Sequence, residues 1–180
     1  MDIQLDHEDK LFLTKVVRDT LFSRLTNNVL PVYYKSKNVY REKAGLFIKL
    51  SIKDEVRAYG GIVEPEKSLI ETVQDCTVNI SFHDRRFAPV SSTEMEKLNI
   101  QMAVITGLEG VAEIKTVQLK EEGLLVEQNW KQAVLLPWDL ASFDLSAETA
   151  IRETAMKAGI SDFDHLRIRR LKLVTFGDNA

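Results

Sequence analysis

Leu46-Phe47-Ile48-Lys49-Leu50-Ser51-Ile52, then Lys53-Asp54, then Glu55-Val56-Arg57-Ala58-Tyr59-Gly60-Gly61-Ile62-Val63 is the stretch that decides the fold. Across residues 45–52, Leu46, Ile48, Leu50 and Ile52 point one way, and Phe47, Lys49 and Ser51 point the other. A period of two marks a strand with one buried face. Lys53-Asp54 is a short turn, so Glu55 to Val63 reads as the returning, antiparallel strand. Gly60-Gly61 interrupts that strand, which predicts a bulge or a close backbone approach there.

Helices flank this pair. Residues 8–26 carry Leu13, Val17, Leu21 and Leu25 at every fourth position, with Val16 widening the stripe, and Asp6 and Asp9 suit the N-terminal end. A polar connection with Pro31, Tyr33, Tyr34 and Tyr40 leads to the first strand. Residues 67–82 place Leu69, Val73, Cys76 and Ile80 on one stripe and predict a second helix. Residues 83–90 are loop, because Pro89 cannot continue a helix and restricts Ala88. A short helical turn from Ser92 to Leu98 precedes a strand over 99–106. Residues 124–128 and 132–136 read as a hairpin around Asn129-Trp130. Ser146 caps a third helix that stops at Gly159, and residues 165–176 form the last strand. Strands come in hairpin-like pairs with helices between the groups, not in βαβ alternation. The expectation is one α+β domain over 1–180, on antiparallel or mixed sheet with flanking helices, with the 124–136 hairpin in a smaller subdomain.

Composition bounds the function. A 180-residue chain that is 44% apolar and 28% charged buries about 70% of its unfolded surface and needs no disulfide or metal to fold. The net charge of −3 lacks the basic balance that phosphate-backbone binding leaves, so nucleic acid is not an expected partner. The one basic run, His165 to Lys172, contains Arg167, Arg169 and Arg170 and reads as a solvated strand face. A single cysteine, Cys76, an acidic start from Met1 to Glu8 and the lack of any long apolar run predict a cytoplasmic protein with no membrane segment.

Motifs for chemistry are sparse. His7, His83 and His165 are far apart and lack a second ligand at metal spacing. No P-loop, dinucleotide glycine fingerprint or serine elbow occurs, and no cofactor is indicated. Cys76 sits on an apolar stripe, which predicts a buried, inert thiol. Trp130 and Trp138 flank Ala133 to Pro137 and read as packing residues, with a cleft wall as the alternative. Two segments gather polar groups. Arg57 and Tyr59 precede Gly60-Gly61, and Asp84-Arg85-Arg86-Phe87-Ala88-Pro89-Val90 follows the second helix. Structurally, Asp84 and Arg86 would brace the loop as an ion pair while Phe87 plugs the core. Strand alternation would project Arg57 and Tyr59 together.

At these segments the chain resembles the AMMECR-domain family, also called protein A of the AmmeMemoRadiSam system. The family's Leu-Arg-Gly-Cys-Ile-Gly is similar to Val56-Arg57-Ala58-Tyr59-Gly60-Gly61, followed by Pro65 and Leu69. Its Asp-Pro-Arg-Phe-Pro-Pro-Val is similar to Asp84 through Val90, and Glu94, Leu98 and Thr106 fit its next helix and strand. Gly123-Leu124-Leu125-Val126-Glu127, Leu135-Leu136-Pro137 and Lys157-Ala158-Gly159-Ile160 continue the match. The departures are Ala58 for glycine, Tyr59 for the motif cysteine, Trp138 for a glutamine and Ala155 for a second cysteine. The resemblance implies a two-subdomain α+β fold, an intracellular location and a part in a modification pathway. A phenol with a pKa near 10 cannot replace a thiol nucleophile at neutral pH.

Two functions follow. One is a non-catalytic protein that binds a small molecule or protein partner. The other is an enzyme or subunit acting on a small anion, with Arg57 and Arg86 binding it, Asp84 orienting them and Tyr59 as acid. The ligand-binding residues expected in either case are Arg57, Tyr59, Gly60, Gly61, Asp84 and Arg86. Arg167, Arg169, Arg170 and Lys172 would serve a nucleic-acid accessory role that the acidic balance opposes.

Overall fold

The computed structural model describes residues 3–53, 55–113, 116–140 and 146–178. Among the described residues, three α-helices and six strands form an α+β fold, with sheet order β2-β1-β3-β6-β4-β5 in chain-order labels. The helices are α1 (His7–Thr26), α2 (Leu69–Val78) and α3 (Ala147–Lys157). The strands are β1 (Leu46–Ile52), β2 (Glu55–Ile62), β3 (Leu98–Gly110), β4 (Gly123–Gln128), β5 (Lys131–Leu135) and β6 (Arg167–Gly177). β1 pairs antiparallel with β2 and β3, and β4 pairs antiparallel with β5 and β6. The chain divides into two compact units, Asp2–Ile105 with Val174–Ala180, and Thr106–Leu173.

In the first unit, Leu13, Val16, Val17 and Leu21 of α1 and Leu69, Val73 and Ile80 around α2 pack with Leu46, Ile48 and Leu50 of β1. The helix starts at a reciprocal cap, in which Asp6 Oδ1 accepts from Asp9 N at 2.8 Å and Asp9 Oδ2 accepts from Asp6 N at 3.0 Å. Asp9 is buried, yet it accepts from Tyr40 Oη at 2.7 Å and from Lys37 Nζ at 2.8 Å. Tyr33 Oη donates to Asp19 at 2.9 Å. The polar connection after α1 is thereby pinned back onto that helix.

The hairpin differs from its alternation in two ways. Phe47 and Ser51, on the face opposite Ile48, are also buried. The Phe47 ring covers Gly61, where a Cβ would lie only 2.4 Å from ring carbon Cδ1 and 2.2 Å from the Leu46 carbonyl. Gly61 is thus a close approach and not a bulge. The irregularity lies four residues earlier: Leu50 faces Ala58 while Ser51 faces Val56, so Arg57 is the extra residue. Asp54, in the expected turn, lies outside the described residues. The second helix also ends differently, since α geometry stops at Val78 and Asn79–His83 form one π-helical turn. Val90, rather than Phe87, is the loop residue in the core, and its N–H donates to the Ser81 carbonyl at 2.9 Å.

In the second unit, Leu124, Val126 and Leu135 pack with Ala150, Ile151, Ala155 and Ile160. α3 starts at Ser146, whose Oγ accepts from Thr149 N at 3.2 Å, and stops before Gly159 at φ +71°. The hairpin turn is the pair Asn129-Trp130, with Asn129 at φ +56°.

Candidate functional site

The candidate site is built where β2 meets the π-helical turn. A π turn inserts one residue into the i→i−4 ladder and often marks a functional position. Here Asn79, Ile80 and His83 of that turn, Tyr59, Gly60 and Gly61 of β2, and Asp84 and Arg86 of the next loop line one open depression of about 340 Å³. Gly60 permits it, because a Cβ there would stand 2.9 Å from the Ile80 methyl. Five of the six residues singled out from the sequence line this depression. Arg57 is not among its lining residues.

Arg57 braces the following loop. Its Nε and Nη2 hold Glu94 as a two-pronged ion pair, the Nη2 contact at 3.2 Å. Nη1 donates to the Ala88 carbonyl at 2.8 Å and Nη2 to that of Pro89 at 2.9 Å. The Arg57 and Glu94 side chains are 19% and 23% exposed. Glu94 also accepts from Ser91 N at 2.8 Å and Ser91 Oγ at 2.7 Å. The guanidinium and these hydrogen bonds hold the Glu94 carboxyl down at about 2.

Arg86 is engaged as well. Its Nε and Nη2 chelate Asp84 at 2.6–3.1 Å, and Nη2 donates to the Tyr59 carbonyl at 2.6 Å. Asp84 also accepts from Arg86 N at 2.9 Å, and the guanidinium holds its carboxyl below the usual range. Asp84 is 16% exposed and Arg86 62%. The pair therefore stands at the surface and ties the loop to β2.

A second concavity of about 420 Å³ continues from the first, sharing Gly61, Asn79 and Ile80. Ile62, Pro65, Cys76 and Ile80 supply apolar lining, and Glu64, Glu66, Lys67 and Asp75 supply charge. Lys67 Nζ pairs with Asp75 at 2.6 Å and Lys43 with Glu66 at 3.0 Å. The Cys76 thiol is 7% exposed and donates to the Gly60 carbonyl at 3.6 Å. Burial pushes it up to about 12, so at neutral pH it is a thiol and no nucleophile.

The remaining sequence candidates belong to the second unit. In the second unit, the basic run is paired with carboxylates instead of being solvated throughout. Arg169 grips Glu127 in a fork at 2.8 and 2.9 Å and is largely buried. Arg170 lies 3.5–3.6 Å from Glu109 and Glu122, and Lys172 pairs with Glu109. Trp130 is 86% exposed at the hairpin turn, with the Lys131 ammonium 5.6 Å from its ring centre, and is not a core residue, whereas Trp138 is half-buried. No cluster of three metal-ligating side chains occurs among the described residues, and no helix among them is long and apolar enough to cross a membrane. The residues that sequence reasoning missed are Asn79, Ile80 and His83 as lining, and Glu94 as the partner of Arg57. Only the polar interruption at Asn79 and the acid at 94 hint at them in the sequence.

Comparison with known proteins agrees with this architecture. The AMMECR1 family matches residues 14–179. A protein of Methanothermobacter thermautotrophicus is 30% identical over 129 residues, covering 68% of this chain and 67% of that one. A protein of Sulfolobus acidocaldarius is 32% identical over 163 residues, covering 82% and 70%. The crystal structure of the uncharacterized protein PH0010 from Pyrococcus horikoshii superposes with a TM-score of 0.87 at 23% identity, covering 97% of this chain and 93% of that one, and so shares the fold. None of these three names states an activity, so kinship supplies a fold and no reaction. With its match running through nearly the whole chain, the protein belongs to the AMMECR1 family.

Proposed function

We propose that the protein is a non-catalytic binding component that recognises a partner at the depression lined by Tyr59, Gly60, Gly61, Asp84 and Arg86. One observation carries this reading: both arginines that an anion-processing enzyme would use are engaged with the protein itself. Arg57 has Glu94 and two carbonyls; Arg86 has Asp84 and the Tyr59 carbonyl. The motif position holds the phenol of Tyr59, and Cys76 is held neutral. Among the described residues that line the depression, no arginine or lysine is left without a protein partner and none is an activated nucleophile. The single thiol and the family resemblance support a cytoplasmic location and a part in a modification pathway. Nucleic acid is disfavoured by the net charge and by the carboxylate partners of Arg169, Arg170 and Lys172.

A thermal-shift panel of phosphate, sulfate, citrate and ATP tests this reading. A ligand at a hundred times its Kd stabilises by about 2.7 kcal/mol. The expected result is no upward shift specific to the site. An upward shift that disappears in Arg86→Ala would show that Arg86 is available to an anion and would overturn the observation on which the proposal rests.

A further inference from the structure

Resting on that binding reading, we infer that the partner binds as an extended, lysine-bearing peptide segment that adds as a strand to the outer edge of β2. Among the described residues, β2 stands at the end of the strand order and pairs with β1 alone. The Tyr59 carbonyl accepts from Arg86, so it points away from β1, toward the open edge. Backbone groups of a strand alternate in direction, so the N–H and C=O of Gly61 point the same way. An exposed edge of this kind is a template for another strand. Glu55, Arg57 and the bulge at Arg57 blunt the first half of this edge, but the second half presents Gly60-Gly61, which has no side chain to obstruct an approaching backbone.

The second wall is helical. Thr72, Asp75 and Cys76 of α2, with Asn79, Ile80 and His83 of the π turn, run beside β2 and convert the edge into a groove of two joined concavities. A strand edge faced by a helix suits peptide addition, in which main-chain hydrogen bonds supply affinity and pockets for alternate side chains supply specificity. Arg86 closes one end by taking the Tyr59 carbonyl, in the place of a pairing strand's N–H. The 420 Å³ concavity at the other end takes an aliphatic side chain on Ile62, Pro65 and Ile80.

Charge selects the peptide. Glu64, Glu66 and Asp75 line that concavity with Lys67, and Lys43 reaches Glu66 from outside the lining. The Lys67–Asp75 and Lys43–Glu66 pairs join largely exposed side chains. Each is a single ammonium–carboxylate contact, unlike the forked Arg86–Asp84 pair, and so is weak and exchanges readily for a ligand's ammonium groups. A lysine-bearing strand fits the rim, and a glutamate-bearing strand meets repulsion.

The probes are acetylated eight-residue peptides of alternating valine and lysine, or valine and glutamate, titrated into labelled protein and followed by amide NMR. The lysine peptide should shift the amides of Tyr59, Gly61, Ile62, Asn79 and Ile80 with a Kd on the order of 100 µM. The glutamate peptide should bind about tenfold more weakly or less. N-methylating every valine or every lysine of the basic peptide blocks opposite backbone edges. One of these two peptides should lose binding and the other keep it. Equal binding by both, equal binding by the glutamate peptide, or no shift at millimolar peptide would each overturn strand addition. If the peptide fails while a photoreactive group at Ile62 still captures a defined partner in cells, the binding reading survives without the strand. If both fail, both readings fall.

Discussion

Arg57→Ala should destabilise the protein substantially although the residue lies on a surface strand. The substitution removes the two-pronged contact to Glu94 and the donors to the Ala88 and Pro89 carbonyls. Breaking a fully buried ion pair costs about 3–5 kcal/mol. Here about a fifth of each side chain meets water, which partly rehydrates the stranded carboxylate. The two carbonyls add about 1 kcal/mol each where water cannot replace the donor. The expected net loss is roughly 2–4 kcal/mol, or about 1–2 M in urea midpoint at a slope near 2 kcal/mol/M. Far-UV circular dichroism should follow it, because Trp130 and Trp138 both lie in the other unit. The effect should also depend on pH. Glu94 is depressed from 4.5 to about 2 in the folded protein, so its contribution is complete above about 4.5 and is lost as pH falls toward about 2. The difference between wild type and Arg57→Ala should shrink across that window. A loss below about 0.5 kcal/mol at pH 7, or a loss unchanged down to pH 2, would refute the bracing role.

Further predictions concern other parts of the fold. Asp9→Ala leaves the buried Tyr40 hydroxyl without its acceptor and Lys37 with Asp6 and should cost about 1–3 kcal/mol; a neutral result in urea denaturation would show that water replaces the carboxylate. Asp84→Ala should cost only about 0.5–1 kcal/mol because its partner is mostly exposed, with faster hydrogen exchange confined to residues 84–90; a global loss above about 2 kcal/mol would contradict this. Cys76, held up at about 12, should react with iodoacetamide at pH 8 only as fast as the protein unfolds; prompt labelling of native protein would show an accessible thiolate.

Much of the fold was legible in the sequence because it rests on period. Leu46, Ile48 and Leu50 alternate, and Leu13, Val17 and Leu21 recur at helical spacing; both sets are in one core. Departures from period were not legible. The bulge at Arg57 is set by register against β1, and the π turn at Asn79–His83 ends a stripe that still looks helical through Ile80. Long-range polar pairing was equally hidden. Glu94 lies 37 residues from Arg57, and Asp9 lies 31 from Tyr40. No local rule joins such pairs. The candidate site was legible as two polar segments, but the division of labour between Arg57 and Arg86 was not, because it depends on which carbonyls each guanidinium reaches.

The most direct test of a binding role at this groove is photo-crosslinking in cells. Ile62, exposed at the groove rim, is replaced by p-benzoylphenylalanine, with Lys15 on the outer face of α1 replaced likewise as the control. Irradiation and mass spectrometry then identify any crosslinked peptide. The account predicts a discrete adduct from position 62, joined to an extended lysine-bearing segment of one partner, and none from position 15. No adduct from position 62, or the same spectrum of adducts from both positions, would contradict it.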